Sequence, residues 1–420
     1  MRIGTQIVLG EQERRLWDKD ALTARIRAVN ETVPLDRLLV WNKLDRSWMD
    51  AVTALCRNLQ IQVYAWFPVL ADPLSEAFER EELILTAAGQ RGYGRHGIWE
   101  ELTRENDLGE DFLFACPNKE QVTEKCRRDL EAVLSEADVD GVFLDRIRYP
   151  SPANGIETLA SCLCSDCERA YHARFDRPYI MPWQRDAGWA EATRALLHGE
   201  AGEASLDTVV DILGLGRFVA FREESVSRQV AALSATAREA HKKVGLDLFT
   251  PSLSRLVGQS YRRLSEYGDW IKPMSYCKAL GPAGISLEIG TLARGLQSLF
   301  RENGIALEEA EIMDFLGRVF RLELPQRVDT LYREGVPEHT VEQEYRVAAW
   351  ATAETNTEIW PGIELVNNPA FTTAITETQC RRYLAAMQKT GADWIACWNL
   401  LYIPQRYFEL IADSLDARHS

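Results

Sequence analysis

A chain of 420 residues with 46% hydrophobic side chains can bury a sizeable core. Its net charge of −15 repels phosphate backbones and anionic bilayers, so nucleic acid and membrane partners are not expected, whereas a neutral substrate is compatible with that field. No apolar run is long enough to cross a bilayer, and the opening MRIGTQIVLGEQERR lacks the parts of a signal peptide, so the expected compartment is the cytoplasm.

In chain order, the first β-rich run is Arg2 to Leu9. A helical pattern at Ala21 to Val29 precedes a strand at Arg37 to Lys43, and another at Ser47 to Asn58 precedes one at Ile61 to Val69. The helix Lys119 to Glu136 leads into DGVFLDRI, Asp140 to Ile147. A long helical stretch, roughly residues 217–243, leads into Val244 to Leu253. The strands Trp270 to Tyr276, Glu358 to Val366 and Trp394 to Tyr402 follow, and a helix at Pro404 to Leu415 closes the chain.

Strands alternating with helices imply a parallel sheet, and eight such units predict an α/β fold, the (β/α)8 TIM barrel. An open doubly wound sheet is the alternative, but no glycine-rich nucleotide fingerprint follows the first strand. Long insertions are expected after strands 3, 4 and 6, at Leu70 to Asn118, Tyr149 to about residue 211, and Cys277 to about residue 341. They leave from the barrel face on which active sites are built, within one elaborated domain spanning residues 1–420.

The strand ends carry a chemical bias. They offer Gln6; Trp41, Asn42 and Lys43; Trp66; Asp145, Arg146, Arg148 and Tyr149; Asp247 and Thr250; Lys272 and Tyr276; Glu364; and Trp398 and Asn399. Aromatic rings that stack on C–H faces, among amides and carboxylates that bind hydroxyls, suit a carbohydrate. Asn42, Trp66, Arg148, Tyr149, Lys272, Tyr276 and Trp398 are the expected substrate-binding residues.

Asp145 ends an otherwise apolar strand, so its carboxylate is either solvated in a pocket or paired with Arg146 or Arg148. Glu364 is the natural second carboxylate, and glycoside hydrolysis needs two. The expected pair is Asp145 as acid/base and Glu364 as nucleophile, with the roles reversed if Arg148 faces the pocket. Asp247 is a reserve candidate, because Leu248 and Phe249 still follow it in the strand. A non-catalytic carbohydrate-binding barrel would show the same aromatics, and a homo-oligomer is compatible with either reading.

Nine cysteines without even spacing favour free thiols plus a metal site over a disulfide framework. CLCSDC, Cys162 to Cys167, is a C-x-C-x2-C array suited to structural Zn2+, which takes four ligands. Cys116 is the best fourth ligand, with Cys126 and His172 as alternatives. Six histidines without metal-site spacing argue against a catalytic metal.

CPN at Cys116, a helix, strand 4 and then CLCSDCERAYHARF resemble the β-galactosidases of glycoside hydrolase family 42 over roughly residues 112–178. That resemblance implies a structural zinc on Cys116, Cys162, Cys164 and Cys167. The family ends strand 4 in Asn-Glu, which is absent here, so β-galactosidase activity is not carried over. DGVFLDRIRYP looks instead like the strand-4 motif of hypothetical barrel-type glycosyl hydrolase families. It also bears a faint similarity to the chitinase signature DG-x-D-x-D-x-E, whose Glu position is Ile147 here.

Overall fold

The structure is a computed structural model that describes residues 1–41, 46–92, 94, 100–101, 112–179, 195–197, 205–368 and 373–416. Seven continuous strands are β1 (Ile3–Val8), β2 (Leu35–Trp41), β3 (Gln62–Pro68), β4 (Gly141–Asp145), β5 (Lys243–Phe249), β6 (Trp270–Met274) and β8 (Trp394–Cys397). Between the last two, β7 comes in two pieces, Glu358–Ile359 and Gly362–Glu364. Pro361 interrupts it by lacking an N–H, yet the carbonyl of Pro361 accepts from Ile395 N, so the ladder continues across the gap.

Each strand pairs in parallel with the next, and β8 pairs with β1 through Ile3↔Trp394, which closes the sheet into the predicted (β/α)8 barrel. Side chains fill the interior. The Phe143 and Trp270 rings stack with centroids 5.1 Å apart, Tyr64 meets Trp270 edge-on, and the Arg37 guanidinium lies 3.4 Å from the centre of the Trp360 ring. Gly245 makes room for this layer: a Cβ there would sit 2.3 Å from the Trp270 ring.

Helices α1 (Lys19–Thr32), α2 (Arg46–Leu59), α3 (Glu120–Glu136), α4 (Ser165–Phe175), α5 (Gly216–Glu239), α6 (Ile285–Glu302), α7 (Glu309–Phe320), α8 (Thr340–Ala351), α9 (Glu377–Thr390) and α10 (Gln405–Asp416) accompany the strands. They are amphipathic where they line the barrel; α2 buries Trp48, Met49, Val52, Leu55 and Cys56 on one face. The expected insertions follow β3, β4 and β6, and the last two contain α4 and α6–α7.

Several boundaries move. The helix expected to reach residue 243 stops at Glu239, and His241, at φ 58°, turns the chain into β5. That strand stops at Phe249, because Pro251 opens a short helix, Pro251–Ser254. The last strand stops at Cys397, and Asn399 takes a φ of 112°. No helix was expected between the last two strands, yet ETQCRRYLAAMQKT forms α9, capped by Thr376 and ended at Gly391 with φ 68°.

Candidate active site and cysteine cluster

Asp145 is the final residue of β4, only 8% exposed at the C-terminal mouth of the barrel. Both of its oxygens accept hydrogen bonds: Trp66 Nε1 donates to Oδ2 over 2.9 Å and Arg146 N to Oδ1 over 2.5 Å. Arg146 reaches this position at φ 55°, a left-handed conformation that a non-glycine residue adopts at a cost of about 1–3 kcal/mol. Its guanidinium turns to Asp72 and lies against the Trp41 and Phe112 rings, 3.9 Å from Asp145 Oδ2 at its nearest. Burial raises the Asp145 carboxyl above its ordinary value, while the Trp66 hydrogen bond and the Lys272 charge oppose that rise.

Asp247 lies level with Asp145. Leu144 pairs with Leu246, so the next residues of β4 and β5 are neighbours, and Asp247 in turn pairs with Lys272 of β6. Lys272 is wholly buried. Its ammonium donates to Gln6 Oε1 at 3.2 Å and Tyr276 Oη at 3.0 Å, and forms an ion pair with Asp247 Oδ2 at 3.0 Å. Burial, and then the Asp145 charge, push Asp247 up to about 8 against the pull of Lys272. Among the described residues, Asp247 Oδ1 and Gln6 Nε2 have no hydrogen-bond partner.

Glu364 ends β7 and is buried. Its carboxylate accepts from Lys278 N at 2.6 Å, Ala279 N at 3.2 Å and Tyr383 Oη at 2.7 Å. Tyr383 belongs to α9, and the two backbone donors belong to the loop after β6. Burial pushes Glu364 up to about 7, with those donors opposing it.

The aromatic residues form two groups. Trp41 and Trp66 meet edge-on at 5.0 Å beside Asp145, while Tyr276 stacks on half-buried Trp398 at 5.4 Å. Arg148 is clamped between the Phe114 and Phe249 rings and donates to Tyr149 O over 3.0 Å. Tyr149 is on the cysteine side: Asn118 Nδ2 donates to its hydroxyl over 3.3 Å and the Arg222 guanidinium covers its ring. Thr250 donates to Glu344 over 2.7 Å, and Asn399 Nδ2 to Val8 O over 3.1 Å. Asn42 and Lys43 lie outside the described residues.

Cys116, Cys162, Cys164 and Cys167 are all buried, with their sulfurs within 4.8 Å of one another. Four thiolates about 2.3 Å from one tetrahedral ion would lie about 3.8 Å apart, and the observed Cys116–Cys164 and Cys116–Cys167 separations are 3.7 and 3.4 Å. The surroundings suit thiolates: Leu85 N donates to Cys162 Sγ and Asn118 Nδ2 to Cys167 Sγ, each over 3.2 Å. The four residues could hold a metal ion. Of the other candidates for fourth ligand, Cys126 donates to Val69 O and His172 is exposed.

No protein-family model matches the chain, and no curated protein sequence matches it, so neither comparison supports the likeness to family 42. The fold does have solved counterparts among glycoside hydrolases. The glycoside hydrolase domain of PgaB (BpsB) from Bordetella bronchiseptica is 12% identical with a TM-score of 0.52, over 99% of this chain and 97% of that one. Alpha-L-fucosidase isoenzyme 2 from Paenibacillus thiaminolyticus is also 12% identical with a TM-score of 0.52, and the chain, matched in full, spans 49% of its length.

Proposed function

We propose that the protein is a glycoside hydrolase centred on Asp145, acting on a neutral carbohydrate at the C-terminal mouth of the barrel. The observation that carries this reading is the Asp145 carboxylate, ending a core strand beside Trp66 and held by donors on both oxygens. A carboxylate so fixed is prepared for one role at a sugar's anomeric carbon. Half-buried Trp398 supplies a face for a sugar ring, backed by buried Tyr276, while buried Trp66 aims Asp145, and the solved counterparts are by name a glycoside hydrolase domain and an alpha-L-fucosidase.

Lys272 and Arg148 have their charged groups engaged by protein, Lys272 by Gln6, Tyr276 and Asp247 and Arg148 by Tyr149 O, which supports positioning roles for both. Tyr149 supports the cysteine cluster. Glu364 was the expected partner of Asp145, but three donors occupy its carboxylate, which supports a role in holding the loop at Lys278 and Ala279.

The cysteine cluster holds structural zinc in this reading. Four thiolates leave no open position for chemistry, and bound metal would pin the insertions after β3 and β4 together. Nine buried cysteines with no disulfide support a reducing, cytoplasmic setting. The test is hydrolysis of a panel of aryl glycosides by the wild type and Asp145→Asn. Cleavage of one glycoside by the wild type and its loss in the variant support the reading; binding of oligosaccharides without cleavage favours a carbohydrate-binding barrel.

A further inference from the structure

The two carboxylates at the barrel mouth differ in how they are held. Asp145 accepts a hydrogen bond on each oxygen, which favours its anionic form. Asp247 accepts at Oδ2 from Lys272, while Oδ1 is buried without a partner among the described residues. An acceptor left bare at that depth is costly, whereas a protonated Oδ1 is a donor waiting for an acceptor.

Resting on the glycoside hydrolase reading above, we infer that Asp247 is the general acid and Asp145 its anionic partner. Asp247 Oδ1–H gives its proton to the glycosidic oxygen as the bond from that oxygen to the anomeric carbon breaks, both bonding electrons staying with the oxygen. The leaving group departs as an alcohol and Asp247 is left as a carboxylate. Water adds its oxygen to the anomeric carbon, either directly with Asp145 taking its proton or after Asp145 has attacked and been displaced. The proton lost by that water returns to the neighbouring carboxylates, which restores the resting state with one proton on Asp247. The sum is glycoside plus water giving a sugar hemiacetal and an alcohol.

The charged and titratable groups around Asp247 are consistent with a retained proton. Asp145 of β4 opposes its ionisation, while Lys272 of β6 and Arg148 after β4 favour it. Among the described residues, Arg146, Tyr276, Cys397 and Tyr261 also sense its charge, and burial raises the Tyr276, Cys397 and Tyr261 groups, so they stay neutral at pH 7. Burial outweighs the two cations, leaving Asp247 at about 8, and Lys272 is raised and remains an ammonium. Two neighbouring carboxyls with environments this different divide acid and base between them.

The experiment has two arms. Carbon-13 NMR of aspartate-labelled wild type should show one carboxyl titrating near 8, absent from Asp247→Asn. In kinetics, Asp247→Asn should slow cleavage of alkyl glycosides by about 10²- to 10⁴-fold and cleavage of dinitrophenyl glycosides, whose leaving group needs no proton, by less than about tenfold. The alkaline limb of its kcat/KM profile should flatten. If every aspartate titrates below about 6, or if both substrates slow equally while the wild type is active, Asp247 is not the acid. If the wild type cleaves no glycoside, the hydrolase reading fails and takes this assignment with it.

Discussion

Trp66 and Asp145 are joined across the β3–β4 seam by an indole N–H donating to Oδ2 over 2.9 Å. That bond aims the carboxylate and stabilises its charge. A hydrogen bond to a charged group contributes about 1.5–3 kcal/mol, so Trp66→Phe should lower kcat/KM by about 10- to 100-fold. The same loss removes a donor that depresses Asp145, so the acidic limb of the pH–rate profile should move to higher pH. A profile that keeps its shape would mean that Trp66 serves only as a packing surface.

Glu364→Gln should act on stability more than on turnover. Glutamine keeps one acceptor oxygen but presents an NH2 to a neighbour that is itself a donor, at a cost of about 1–3 kcal/mol. Thermal unfolding should shift down by about 2–4 °C, with kcat per folded molecule nearly unchanged. A folded variant without turnover would restore Glu364 to the chemistry.

Stability should fall as pH rises from about 4 to 8. Glu364 goes from 4.5 to about 7 and Asp247 from 3.8 to about 8, so each binds its proton more tightly in the folded chain. Their contribution is complete below the unfolded values and is lost as pH climbs through the folded ones. Urea midpoints across this range should decline in the wild type and decline less in Asp247→Asn.

Cys164→Ser or Cys167→Ser should lose a stoichiometric metal, measured by elemental analysis, and unfold at lower temperature. Because the zinc is assigned a structural role, protein that remains folded in the cold should keep its turnover. Metal loss without any change in unfolding would remove the zinc from the account of the loops.

Gly245→Ala tests the packing of the barrel interior. The added methyl would sit 2.3 Å from the Trp270 ring, which is held between Phe143 and Tyr64 and has little room to shift. Overpacking of this kind costs about 1–3 kcal/mol, to be read as a lower unfolding midpoint.

The barrel was legible because its strands are short apolar runs, and Asp145 because a carboxylate ending such a run demands an explanation. The cysteine cluster was legible from spacing, and the structure brings the same four residues together. What sequence hid was pairing at a distance. Asp247 reads as too deep when Leu248 and Phe249 are counted after it, but depth is set by register, and Asp145 at the very end of β4 lies level with it. Glu364 looks free at a strand end because the donors that occupy it come from the loop after β6 and from α9, neither adjacent to it in sequence. Tyr149 follows Arg148 directly, yet one turns to Asn118 at the cysteines and the other lies between Phe114 and Phe249.

The most direct measurement is the hydrolysis rate of aryl glycosides by purified wild type beside Asp145→Asn, with folding and metal content checked on the same samples. Cleavage of at least one glycoside by the wild type is expected, with a loss of about 10²-fold or more in a folded, metal-replete variant. A variant that matches an active wild type would contradict it, and the catalytic centre would have to be sought away from the end of β4.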